Sequence, residues 1–251
     1  MPLEQLLGWC YVIAWSISVY PSVWNNWKLK STQAVSVDFV MLNTFGYSCL
    51  IWSLLLQLYC WQDIVAKEDG AQALARPKVS HFDFWYCLHG VVMNLVLCSQ
   101  VMCGATIWRF HAEQRRMKPV YRKTLLAAIT LWLLATLRFF NSIKSNGWDN
   151  AVTLAYCNKL ILLKILMSLI KYIPQVKHNY ERKSMRGFPI EAVLCDLIGG
   201  ICSIWQLALQ LSADQGFTAA IFIANFGKIG IALVTLFFNF VYISQWIVYR
   251  A

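Results

Sequence analysis

A chain of 251 residues with 59% apolar and 14% charged residues falls well below the roughly 25% charged of soluble domains and belongs in a membrane. The net charge of +10 would suit nucleic acid, but the cations lie in loops between apolar runs and on no single polar face. They read as orientation signals, and a nucleic-acid partner is excluded.

The length holds about seven spans of roughly 20 residues with short loops. Residues 5–27 contain no charge and form the first span, with a kink at Pro21. The segment before it lacks the basic region of a secretory signal. Lys28 and Lys30 mark the first loop. Residues 39–62 are again uncharged and form the second span, followed by a polar loop over 63–80. Residues 84–108 are the third span, with Asp83 at its mouth and His89 inside. A basic loop over 109–123 leads to a fourth span at 124–143, interrupted by Arg138. The fifth span, 151–176, carries Lys159, Lys164 and Lys171. The sixth is 189–211, and the seventh, 217–249, has Lys228 in its first half. The nine cysteines show no metal-ligand spacing and mostly lie inside apolar runs as small packing residues. With no phosphate loop, nucleophile arrangement or metal cluster, neither an enzyme nor a cofactor is expected.

The sequence repeats itself at a spacing of 153 residues. Over residues 21–58, 14 of 38 ungapped pairs are identical, including Pro21 with Pro174, Asn26 with Asn179, Lys30-Ser31 with Lys183-Ser184 and Gly46 with Gly199. Duplication in a membrane protein points to a transporter with its site between the repeats. An all-α fold follows: two three-helix units in the same orientation, residues 1–110 and 151–251, joined by a linker with a fourth, inverting helix at 111–150. Such a parallel 3+1+3 layout is that of small sugar carriers. Pro21, Pro174 and Gln175 are the candidate hinge residues, a proline removing one helical hydrogen bond and kinking the helix. A static kink is the alternative.

Loop charge sets the orientation. With the N-terminus on the lumenal side, the cytosolic segments hold 13 basic residues, among them Lys28, Lys30, Arg115, Arg182 and Arg186; the other side, with Lys67, Arg76, Lys78 and Lys144, holds at most six. The sixth span gathers Asp196, Gly199, Gly200, Ser203, Gln206 and Gln210 on one face at about 100° per residue, and the second span shows Asn43, Gly46, Tyr47, Ser53 and Gln57. Glycines and amides on a stripe also serve close helix packing. A carboxylate does not, since placing an acid in a membrane costs at least ~2.5 kcal/mol and favours a cavity or a cationic partner. Lys164 and Lys228 are the candidate partners.

Lys171-Tyr172-Ile173-Pro174-Gln175, Asn179, Leu194-Cys195-Asp196 with Gly199-Gly200, Phe226-Gly227-Lys228, and Phe82-Asp83-Phe84 with Leu88-His89-Gly90 resemble the cystinosin family of PQ-loop transporters. Fungal members of the ERD-suppressor type are the most similar. The resemblance implies proton-coupled export of cystine from a vacuole, lysosome or endosome to the cytosol by alternating access, with cystine, the proton and membrane lipid as partners. It implies Asp196 as the acid of proton and substrate binding, and Asp83 as a lumen-side coupling acid. It also implies Asn26, Asn43, Lys164, Asn179 and Lys228 at the substrate site. Protonating a carboxylate in an acidic lumen removes its desolvation penalty, and a two-unit pH difference supplies about 2.7 kcal/mol per proton. The chain departs from the family pattern at Ser22, after the first proline, and at Ala192 and Asn239, where polar or acidic residues are expected. Transport of another amino acid or a sugar, or a sorting receptor like that for ER-retention peptides, are the alternatives.

Overall fold

The computed structural model describes residues 3–32, 35–62, 76–111, 116–183, 185, 190–212 and 218–249. Among these the chain is helical throughout, without a strand: α1 (Leu3–Ile17), α2 (Tyr20–Leu29), α3 (Val37–Tyr59), α4 (His81–Met102), α5 (Gly104–Ile107), α6 (Pro119–Asn146), α7 (Asn150–Arg182), α8 (Ile190–Ser212) and α9 (Ala219–Tyr249). With α1 and α2 together as one span, seven helices are long and apolar enough to cross a membrane. The protein is a multi-pass membrane protein, and the two ends of the described chain lie on opposite faces, here the N-face and the C-face.

Local chemistry fixes the helix ends. Ser80 caps α4 reciprocally: its backbone and hydroxyl donate to Asp83 Oδ2 at 2.8 and 2.7 Å, and its Oγ accepts from the Asp83 backbone N–H. Asp149 caps α7 by accepting from Ala151 N and Val152 N. Pro119 sits in the first turn of α6, so Val120 to Lys123, expected in a loop, are helical. Lys30 and Lys183 take left-handed backbone conformations that stop α2 and α7. They are repeat equivalents, so the two halves end their first span in the same way.

The halves interlock. The second helix of each repeat packs on the first helix of the other, α3 on α7 and α8 on α1. Glycines permit the close approach. A Cβ on Gly46 would stand 2.9 Å from the Lys164 Cδ, and one on its equivalent Gly199 would stand 2.5 Å from the Trp15 ring. The main apolar cluster joins α3, α6 and α7 around Leu42, Cys49, Leu160 and the stacked pair Phe139–Tyr156. Most of the surface of α6 faces outward, including Leu126, Leu133, Leu137 and Phe140, as suits a linker helix facing lipid. Asp38, buried in the first turn of α3, accepts from Lys118 N at 2.9 Å and pins the start of α6 on the C-face.

The first span breaks at Ser18–Val19, ahead of Pro21, whereas α7 runs through Pro174 and Gln175 unbroken. The side chains of Pro174 and Gln175 lie outside the described residues, as do Lys67, Arg115, Arg186 and the expected starts of the sixth and seventh spans.

Candidate substrate site between the repeats

Two cavities open between the repeats. The larger, about 140 Å³, is lined by Asn43, Tyr47, Lys164, Ser168, Lys171 and Asp196, with Trp15, Ser18, Tyr86 and Thr235. The smaller, about 60 Å³, lies toward the N-face and is lined by Gln57, Lys78, Asp83, Asn225 and Lys228, again with Trp15 and Tyr86. These two rings, 4.7 Å apart, line both cavities together with Ile231, as a shared partition. Trp15 Nε1 donates to the Asp196 carbonyl oxygen at 3.0 Å, and the Tyr86 and Tyr47 hydroxyls are 2.6 Å apart. The partition is therefore tied to α8 on one side and α3 on the other.

In the larger cavity the lysines and the acid come from α7 and α8. Lys164 is 3% exposed and lies 3.7 Å from the Tyr47 ring centroid, a cation–π contact in which the ring face supplies the negative potential that water would otherwise give. Lys171, two turns further along α7 on the same face, donates from Nζ to Asn43 Oδ1 at 2.7 Å. Asn43 Nδ2 donates to Asn94 Oδ1 at 2.5 Å, and Asn94 donates to the Gly90 carbonyl at 2.7 Å. A chain of amides thus carries the lysine's polarity from α7 through α3 to α4. Asp196 adds a carboxylate from α8. Two lysine amines, one carboxyl group, an amide and aromatic faces line one space.

In the smaller cavity Lys228 Nζ lies 3.1 Å from Asp83 Oδ1 and donates to Gln206 Oε1 at 2.8 Å. The Tyr11 hydroxyl donates to Asp83 Oδ1 at 3.0 Å. This network joins α4 of the first repeat to α9 of the second, and recruits α1 and α8. Lys228 therefore pairs with Asp83 and not, as the sequence suggested, with Asp196. Asp83, at the mouth of α4, is shielded from water: its side chain is 14% exposed and Ser80, Tyr11 and Lys228 hold it.

Among the expected site residues, Asn43, Lys164 and Asp196 meet in the larger cavity, and Asp83 and Lys228 in the smaller. Asn26 and Asn179 line neither; each is 1% exposed and bonds to a glutamine of its own repeat. Pro21 lies in the first turn of α2, behind the break.

A PQ loop repeat model matches the chain twice, over residues 3–63 and 156–215. A protein of Saccharomyces cerevisiae named a cystine transporter is 55% identical over 99% of this chain and 95% of its own length. A cystinosin homolog of Arabidopsis thaliana is 28% identical over 98% of this chain and 86% of its own, and Bos taurus cystinosin is 27% identical over 97% and 62%. The chain belongs to the cystinosin family of PQ-loop proteins. The yeast relative is named as a transporter.

Within this cystinosin-family chain, sequence reading gave no site role to Lys171, Trp15, Tyr11 or Tyr86, and placed Gln206 only on the polar face of the sixth span. Lys171 carried a signal: it is an intramembrane lysine seven residues from Lys164, hence on the same helix face. The aromatic residues carried none, since 15% of the chain is aromatic and only packing shows which rings stand between two cavities.

Proposed function

We propose that the protein exports cystine, with a proton, from an acidic organelle of the vacuolar, lysosomal or endosomal type into the cytosol. The observation that carries this reading is the larger cavity, where Lys164, Lys171 and Asp196 converge. Cystine bears two carboxylates and two ammonium groups. Two lysines match the carboxylates, while Asp196 and the Asn43 amide offer acceptors to an ammonium. The 55% identity to a protein named a cystine transporter supports the same substrate, and loop charge supports a lumenal N-face.

The coupling is read from the Asp83–Lys228 pair, which ties the two repeats together on the N-face. A proton arriving on Asp83 from the lumen cancels the attraction and frees Lys228, so the repeats can part on that side. A proton on Asp196 removes the cost of moving a bare carboxylate through the closed state. The Trp15–Tyr86 partition then serves as the inner gate between lumenal vestibule and substrate cavity. Two states are needed for alternating access, and the proton shifts their balance only through its different affinity for each. Asn239, an amide where the family pattern has an acid, leaves Asp83 and Asp196 as the carboxylates available.

The test is flux into proteoliposomes of labelled cystine, lysine and glucose, with and without a pH gradient. Cystine alone should be carried, and faster down a proton gradient. Flux of lysine or glucose in its place defeats the substrate assignment, and cystine flux indifferent to the gradient makes the protein a facilitator.

A further inference from the structure

Each repeat carries a small polar construction that neither cavity uses. In the first, Asn26 Nδ2 donates to Gln100 Oε1 at 3.0 Å, and Gln100 Nε2 donates to the Val23 carbonyl at 3.3 Å. In the second, Asn179 Nδ2 donates to Gln245 Oε1 at 3.1 Å, and Gln245 Nε2 donates to the Val176 carbonyl at 2.9 Å. Val23 and Asn26 stand to Val176 and Asn179 at the repeat spacing. Gln100 stands to Gln245 at the same spacing as Asp83 to Lys228, 145 residues. One contact, with the same donors and acceptors, thus occurs in both halves, although Trp24-Asn25 of one is Lys177-His178 in the other.

The location gives the contact its meaning. One glutamine amide grips one helical turn at two points, a side-chain amide and a main-chain carbonyl three residues before it. That turn begins two residues after Pro21 or Pro174: ahead of Pro21 the span is already broken at Ser18–Val19, and at Pro174 the missing N–H weakens α7 and lets it bend. A segment beyond a flexible point moves as part of whatever holds it. Here the holder is the third helix of the same repeat, α4 or α9. An apolar pair would fill the space with no polar group to desolvate, so packing alone does not call for a buried asparagine paired with a glutamine in each half.

We infer that Gln100 and Gln245, with Asn26 and Asn179, are positioning residues of the transport cycle. Each pair fastens the post-proline turn to the third helix of its repeat, so that bending at the proline displaces both as one body. This rests on the reading of the protein as an alternating-access transporter. It also reassigns Asn26 and Asn179 from substrate contact to helix coupling.

The full-length protein is compared with Gln100→Leu, with Gln245→Leu, and with two exchange variants, Asn26→Gln/Gln100→Asn and Asn179→Gln/Gln245→Asn, which retain both amides. Losing paired buried hydrogen bonds should lower kcat for cystine about ten-fold in each Leu variant while KM stays within about two-fold. The exchange variants should recover most of kcat. Hydrogen exchange without substrate should quicken after the proline in the Leu variants and stay unchanged in α3 and α8. A raised KM at unchanged kcat would make these residues substrate contacts and overturn the inference. So would a folded Leu variant with wild-type kcat and protection, or a folded exchange variant no faster than its Leu counterpart. If a Leu variant does not fold, the exchange variant decides: wild-type kcat upholds the clamp, and a ten-fold loss in folded protein defeats it. Because hydrogen exchange needs no substrate, a wild-type protein that moves no cystine sinks the transport reading while protection still decides the clamp.

Discussion

At the residue scale the Asp83–Lys228 pair invites the most direct test. Both side chains are largely buried, so removing one charge leaves the other uncompensated, at about 3–5 kcal/mol. Lys228→Met should therefore lower thermal stability markedly, and Asp83→Asn/Lys228→Met should restore most of it. Equal melting temperatures for the single and double variants would show that the ion pair contributes nothing. Asp83→Asn alone should loosen coupling while cystine exchange persists, because its carboxylate lies outside the larger cavity. Asp196→Asn should abolish gradient-driven uptake; full gradient-dependent flux in that variant would reduce Asp196 to a structural acid. For Lys171, held at 2.7 Å by Asn43, Lys171→Met should raise KM for cystine about ten-fold or more through loss of a charge-assisted contact. An unchanged KM would remove Lys171 from the site.

At the element scale the two prolines are not equivalent. The first span is already broken before Pro21, while α7 continues through Pro174. A hinge in the second repeat would have to bend a continuous helix, and the missing N–H at Pro174 offers the means. Pro174→Ala restores that hydrogen bond and should stiffen α7, with cystine flux falling several-fold at normal expression and melting temperature. Pro21→Ala should have the smaller effect, since the break at Ser18–Val19 supplies flexibility of its own. Normal flux in Pro174→Ala would make its proline a static feature.

At the scale of the whole molecule the interlocked repeats explain where a site can form. Each second helix lies against the other repeat's first helix, so every cavity between them is lined by both halves. In the proposed cycle, motion of one half against the other would change access without dismantling either. The orientation is tested by two epitopes: one at the C-terminus should be reached from the cytosol, and one in the loop between α3 and α4 should be protected inside the organelle. Detection of both from one side would break the seven-span topology.

The spans, the duplication and the three intramembrane lysines were legible in the sequence because each has a one-dimensional signature. Apolar length reports a crossing, a fixed spacing reports a repeat, and a charge inside an apolar run stands out against its neighbours. The same signatures identified Asp196 and Asn43 as members of polar faces. Pairing between helices leaves no such trace. On sequence Lys228 was a candidate partner of Asp196, and the packing of the bundle placed it with Asp83. Asn26 and Asn179 were expected at the site from the family resemblance, and each donates to a glutamine 74 or 66 residues away, outside both cavities. Trp15 and Tyr86 gain their place between two cavities only through the crossing of α1 with α8 and α4. A side chain's neighbours along the helix follow from its period of 3.6, whereas its neighbours across the bundle follow from the packing of all the helices together.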